Sequence, residues 1–360
     1  MKLEKGKPEI LTGLASNLKS EQETLPAIEV KNHVEWVNDN FNLPFFEVGK
    51  PTNLGVFLTS EVDSEDKPII LEVKSRHGRS ALLGKIHPKE KQQKEEIADK
   101  QVFRDIDIKG LGYVISKNTS QDKIFYTVGD IKIDSRNVEK SMGLLNSKDA
   151  YRDKEFTEIL QKYGIRTHRV IAIIGLEEVV YQGKRISITE AKAKKIMAEK
   201  AEPVLEIRAF GTHARLTDIS IDNLSTEKHF REKAELFIED ARLLVAKELG
   251  EDLSTFDRVK YFKWLARTVG KNLGLLHKHR YFINLREGHN ITLDGCLVDF
   301  ECTRQVRPES LSELDADDYG AFTGLRKVLD TSEFRYPGNR ETYDEILKEY
   351  KTSYQLNKNS

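Results

Sequence analysis

The sequence predicts an α+β chain in two lobes, a strand-rich first half and a helical second half. Three observations predict it. Residues 53–133 hold short runs rich in β-branched and aromatic side chains, divided by turn residues. From residue 226 onward the apolar positions recur at helical spacing instead. At 360 residues the chain is long enough for two domains of roughly 150 residues each.

Taken in order, residues 1–45 are mixed and polar and read as an N-terminal extension, with "LPAIEVKNHVEWV" its one packed piece. Strands follow in "NLGVFLT", "KPIILEVKS", "SALLGKI", "VFRDIDIK" and "KIFYTVGDIKI". Between the third and fourth lies "HPKEKQQKEEIADKQ", a mixed-charge insert that reads as a solvated loop or short exposed helix. A helix is predicted over about 150–163, where Phe156, Ile159, Leu160 and Tyr163 recur at i, i+3, i+4 and i+7. "HRVIAIIGL" and "PVLEIRAF" read as buried strands, with a Lys/Ala-rich helix over 188–200 between them. Residues 226–249 and 257–278 are long helices, the second striped by Val259, Phe262, Leu265, Ala266, Val269 and Leu273. "SELDADDYGAFTGLRKVL" is a short helix, and the chain from about Asp344 is polar and weakly patterned. On this reading residues 46–202 form the first lobe, 203–345 the second and 346–360 a polar tail. The order suits a nucleotide-binding fold with a cleft between its lobes.

Composition narrows the class. The charged fraction is 32% and the apolar fraction 38%, a sizeable core beneath a very polar surface. Formal net charge is −1, so nothing global draws the chain to nucleic acid or to an anionic membrane. No run of about 18 apolar residues is present to span a bilayer. The N-terminal segment lacks the apolar stretch of a secretory signal. Cys296 and Cys302 make neither a disulfide framework nor a zinc pattern. The expectation is a cytoplasmic protein, or an effector secreted by a route without a cleavable signal, with no nucleic-acid or membrane partner.

The densest chemistry lies in "REGHNITLDGCLVDFE", residues 286–301. Asp-Gly between short apolar runs predicts a two-residue hairpin loop at Asp294 and Gly295. The pairs would then be Leu293 with Cys296, Thr292 with Leu297, Ile291 with Val298, and Asn290 with Asp299. Directly opposite side chains share a face about 4.5–5.5 Å apart. An amide oxygen and a carboxylate so placed can hold one Mg²⁺, which takes few protein ligands and completes its shell with water and phosphate.

Other segments carry phosphate-type groups. "IDIKGLGYVISK" sets Lys109 before Gly110 and Gly112, which admit backbone amides close to phosphate; an ordinary turn has the same residues. A lysine so used needs an acidic partner, and on the helix at 150–163 Asp153 or Glu155 faces inward while Glu158 faces out. "VLEIRAFGTHARL" offers Arg208 and Arg215 for a polyphosphate, and "RHGRSALLG" offers Arg79 beside Gly78.

Together these segments resemble the selenoprotein O family. "HGRSALLGKI" and "IDIKGLG" are similar to its GR-aLLGe and LqlKGaG segments. "AYRDKEFTEILQKYGIRTHRVIAI" looks like its helix and GIPTTRAL strand, and "VLEIRAFGTHAR" like its VLtRvApSHiR. "HNITLDGCLVDFE" resembles its DNmsilGltiDyG, and the order holds over residues 76 to 303. The resemblance implies a protein-kinase-like fold that transfers AMP from a flipped ATP to protein hydroxyls. It implies Lys109 as the phosphate lysine, Asp153 as its helix acid, and Arg208 and Arg215 as holders of the flipped phosphates. Asn290 and Asp299 would hold Mg²⁺, or Mn²⁺ in its place, and the acceptor would be an unidentified protein or peptide.

The departures are specific. His289 stands where the family has an aspartate before the metal asparagine, and Glu301 where it has glycine. The helix acid is the shorter aspartate, and the family's long C-terminal part with its redox-active end is lacking. His289 can replace the missing base, since imidazole accepts a proton near neutral pH; a loop histidine without a role is the alternative, and Glu287 is a second candidate. Two other functions stay open: a small-molecule or protein kinase moving the γ-phosphate, and a catalytically silent pseudokinase that binds a partner.

Overall fold

The computed structural model describes residues 24–41, 46–73, 79–85, 101–118, 124–135, 137–219, 228–307, 310–332, 334 and 337–360. Most of the charged insert at 87–101, the first 23 residues and Gly78 lie outside them.

Alternating apolar and polar residues build the first part. Its strands are β1 (Thr24–Glu29), β2 (Asn32–Val37), β3 (Val56–Leu58), β4 (Ile69–Val73), β5 (Ser80–Lys85), β6 (Asp105–Lys109), β7 (Tyr113–Asn118), β8 (Ile124–Gly129), β9 (Lys132–Asp134), β10 (Asn137–Met142) and β11 (Leu145–Asn146). Helix α1 (Ser147–Lys162) follows, then β12 (Arg169–Leu176), the hairpin β13 (Glu178–Tyr181) and β14 (Lys184–Ser187), helix α2 (Ile188–Ala193) and β15 (Pro203–Phe210). Among the described residues the main sheet runs β2-β12-β15-β6-β5-β4-β1-β3, with β11 added beside β15. Its described pairings are antiparallel.

β6 and β15 are buried at every position, yet their sequences alternate. Ile106 and Ile108 on β6, with Leu205, Ile207 and Ala209 on β15, enter the large apolar core. The opposite face carries Asp105, Asp107, Lys109, Glu206 and Arg208, all buried as well. Helix α1 contacts β12 and β15 through a small cluster of Leu145, Ala150, Val170, Ile173 and Val204.

The second part is helical: α3 (Lys228–Leu249), α4 (Arg258–Lys278), α5 (Ser312–Thr331) and α6 (Arg340–Asn359), with a short pairing of β16 (Tyr281–Phe282) and β17 (Arg304–Gln305). It has a core of its own, centred on Tyr261, Leu265, Val269, Leu325 and Tyr350. The Asp257 side chain caps α4 by accepting from Lys260 N at 2.8 Å. Among the described residues no helix is long and apolar enough to cross a membrane.

Four expectations change. The supposed N-terminal extension supplies β1 and β2 to the main sheet, and β2 pairs with β12. The strand-rich part runs through Phe210, because β15 lies between β12 and β6 instead of opening the second part. The helix expected over 188–200 ends at Ala193, with Lys195 at φ +56° just beyond, and β13–β14 were not foreseen. The supposed polar tail is helix α6, whose Tyr343, Ile346, Leu347, Tyr350 and Tyr354 are buried at helical spacing.

Candidate functional site

The Asp-Gly hairpin forms with a register one residue away from the expected one. Thr292 N donates to Cys296 O at 3.0 Å, Gly295 N to Thr292 O at 2.9 Å, and Val298 N to Asn290 O at 3.0 Å. The loop is therefore three residues, Leu293 to Gly295, with Gly295 at φ +74° as this loop requires. Ile291 faces Leu297, so Asn290 stands opposite Val298 and Asp299 lies one residue beyond. Such a slip would send Asp299 to the other face of a regular strand. It escapes by leaving the strand: Asp299 takes the left-handed conformation, φ 69° and ψ 68°, ahead of a short 3₁₀ turn over Phe300–Cys302.

That bend aims Asp299 at β6. Its Oδ1 accepts from Lys109 Nζ at 2.5 Å, across 190 residues of sequence. Glu301 turns the same way and pairs with Lys109, and also with Arg79 at 2.5 Å. Arg79 donates a second bond to Leu144 O at 2.7 Å. The Lys109 side chain is 4% exposed, against 28% for Asp299. Burial alone would lower the Lys109 pKa, but the Asp299 and Glu301 carboxylates outweigh it and hold it raised. Burial likewise opposes ionisation of Asp299, and Lys109, Arg215 and Arg208 override it, leaving that carboxyl well below its usual range.

Arg215 ties the hairpin to the chain leaving β15. Leu216 N donates to Ile291 O at 2.9 Å and Leu293 N to Ala214 O at 2.8 Å, so the two segments run side by side. Arg215 Nη1 thereby reaches His289 O at 2.9 Å and Asn290 Oδ1 at 3.1 Å. The His289 ring nitrogen Nδ1 stays local, 3.0 Å from Arg286 N and 2.8 Å from its carbonyl oxygen. Burial, with Arg215 adding to it, lowers the His289 pKa, so the ring is neutral at pH 7. Glu287 is exposed and paired with Lys327 at 2.9 Å, outside this cluster.

Three groups of expected residues make contacts of another kind. Asp153 is buried and faces inward as expected, but it is not bonded to Lys109. Its Oδ1 accepts from Phe300 N at 2.9 Å and its Oδ2 lies 3.2 Å from His168 Nε2. Arg208 is held within the sheet, donating to both oxygens of Asp107 at 2.9 and 2.8 Å. Gly110 and Gly112 have positive φ, +98° and +123°, but their amides donate to Arg79 O and Gly143 O. KGLG is thus a packed turn: a Cβ at Gly110 would lie 2.5 Å from Val204 O.

Two residues that sequence reasoning passed over complete the cluster. His168 is stacked between Phe210 and Phe300, at 5.3 and 5.5 Å, and burial lowers its pKa. Glu206 is fully buried directly across from Lys109 on β15, and among the described residues neither of its carboxyl oxygens has a hydrogen-bond partner. The alternation in "EIRAF" was a signal for both Glu206 and Arg208, since it sets two charges on one face of a strand read as buried.

A cavity of about 290 Å³ adjoins Arg79, lined also by Tyr113, Lys140, Met142, Asn146 and Asp149. Among the described residues no group of three or more His, Cys, Asp or Glu side chains is arranged to hold a metal. Asp299 and Asn290 still offer hard oxygens of the kind Mg²⁺ takes, and each of those oxygens already faces a cationic side chain. Comparison with protein-family models returned no match, and neither did comparison with curated proteins.

Proposed function

We propose that the chain is an ATP- and Mg²⁺-dependent transferase on a two-lobed, protein-kinase-like scaffold, moving AMP from a flipped ATP to a hydroxyl acceptor on protein or peptide. One observation carries the reading: the meeting of Lys109 and Asp299 at 2.5 Å, with Asp299 in a left-handed conformation. A non-glycine residue held there is strained by about 1–3 kcal/mol, and such strain gathers at functional sites. Asp299 and Asn290 would hold Mg²⁺ or Mn²⁺, which supplies charge neutralisation to the phosphates. Lys109 and Arg79 bring positive charge to the same place, and the cavity beside Arg79 is near the lower size range of small-ligand sites.

Incubation with ATP labelled at the α- or the γ-phosphate tests this. AMP transfer leaves α-label on the acceptor and releases pyrophosphate. γ-label on the acceptor with ADP released replaces the reading with a kinase. A specific observation favours the silent binding module as the second reading: Lys109 is neutralised by Asp299 and Glu301, and Arg208 by Asp107. ATP binding without either product would establish it.

A further inference from the structure

β6 and β15 set two potential ion pairs side by side on one buried face. Asp107 stands directly opposite Arg208, and Lys109 directly opposite Glu206. The first pair is closed by two hydrogen bonds. The second is open: Lys109 reaches to Asp299 and Glu301 instead, and both Glu206 oxygens are left without a hydrogen-bond partner among the described residues. Buried carboxyl oxygens are rarely left so. Directly opposite residues in an antiparallel pair have Cβ atoms about 4.5–5.5 Å apart, so side-chain rotation alone can bring the lysine to Glu206.

We infer that Glu206 is the second seat of Lys109: a divalent cation arriving at Asp299 displaces the ammonium group, and the lysine crosses to Glu206. The inference rests on the metal reading of Asp299. Two cations compete there for one carboxylate, and their mutual repulsion in a buried site drives the smaller charge away. Arg79 retains Glu301 at 2.5 Å, so Glu301 does not follow the lysine. Glu206 suits the task because it is idle until then. Burial and the neighbouring Asp153 charge raise its pKa well above the usual range and so disfavour its charged form while Lys109 is elsewhere. The approaching ammonium favours its ionised form, and the proton leaves to solvent. Glu206 is thus a positioning residue: it keeps the lysine near the phosphate path while freeing the metal ligand.

Mn²⁺ binding without nucleotide, followed by calorimetry, tests this on wild type, Glu206→Gln, Lys109→Met and the double variant. Glu206→Gln is expected to weaken Mn²⁺ about tenfold, because the displaced lysine is then left with Glu301 alone, a carboxylate it must share with Arg79. Lys109→Met is expected to tighten Mn²⁺ about tenfold, and Glu206→Gln should add nothing in that background. The metal-free melting temperature of Glu206→Gln should equal that of wild type, whereas a merely structural role would lower it. Equal Mn²⁺ affinity in wild type and Glu206→Gln overturns the inference and leaves the metal site standing. So does the same loss with or without Lys109. Failure of wild type to bind Mn²⁺ more tightly than Asp299→Asn overturns the metal reading itself, and the inference with it.

Discussion

Arg208 offers the sharpest test, because sequence resemblance makes it a phosphate ligand and the structure gives it a carboxylate. Its side chain is 1% exposed and that of Asp107 0%, and the two share bonds of 2.9 and 2.8 Å. Removing one member of such a pair leaves an uncompensated buried charge, typically about 3–5 kcal/mol. Here the lower end applies. Asp153 Oδ2 lies 3.9 Å from Arg208 Nη1 and softens the loss of Asp107. An orphaned Asp107 can in turn take up a proton. Asp107→Leu and Arg208→Met are therefore each expected to destabilise by about 3 kcal/mol. The double variant replaces the pair with apolar groups and should return to within about 1–2 kcal/mol of wild type. The coupling is then about 4 kcal/mol or more, read from urea midpoints with unchanged m-values. Two single losses that simply add would refute the pairing. The double variant also separates two roles for Arg208, whose Nη1 has no hydrogen-bond partner among the described residues. A stable double variant that no longer transfers AMP would mean that this nitrogen serves the nucleotide.

Three further outcomes follow from the geometry. Asp299→Asn should reduce metal-dependent ATP turnover by on the order of 10²–10³-fold while the fold persists, since Glu301 still neutralises Lys109; Asn290→Ala should be milder, and turnover at the wild-type level in Asp299→Asn would remove the metal assignment. Gly270→Ala should lower the melting temperature, by an overpacking loss of about 1–3 kcal/mol, because its Cβ would lie 2.4 Å from Tyr350 O where α4 meets α6; an exposed helical glycine would instead gain about 1 kcal/mol, so the sign decides. Stability should fall as pH drops below 6.5: the folded His168 pKa is lowered by burial, so the unfolded chain takes up the proton first. Urea midpoints at pH 7.5 and 5.5 should show a loss of up to about 1.4 kcal/mol in wild type that is smaller in His168→Gln, and parallel pH profiles would exclude His168 as the cause.

The elements were largely legible where one local rule governs. The stripes at 226–249 and 257–278 reappear as α3 and α4, and the apolar runs after residue 53 as strands. The failures share a cause. α6 was overlooked because Tyr343, Tyr350 and Tyr354 read as polar, although tyrosine buries its ring and keeps only its hydroxyl bonded, as Tyr350 does with Asp318 Oδ1 at 2.6 Å. β1 and β2 looked like an extension because their partners, β4 and β12, are remote in sequence, and no local pattern names a distant partner. The hairpin register failed on one residue because Asp-Gly serves both two- and three-residue loops.

The candidate site was legible as a set of residues and not as a set of bonds, and the difference is electrostatic. Sequence can say that Lys109 needs an acid; it cannot rank Asp153, Asp299, Glu206 and Glu301, which all interact with it electrostatically. The ranking follows from who else needs each acid. Asp153 already accepts from Phe300 N and lies against His168, and Asp107 is taken by Arg208 at two points. Burial holds the Glu206 pKa well above the usual range and so disfavours its charged form. Asp299 keeps 28% of its side chain open and can hold its charge, so it receives the lysine. Glu301, where the resembling family has glycine, adds a second carboxylate that also fixes Arg79. Lys109, Arg79, Asp299 and Glu301 thus form a closed ion cluster. The proposed function therefore requires a divalent cation to outcompete Lys109 for Asp299.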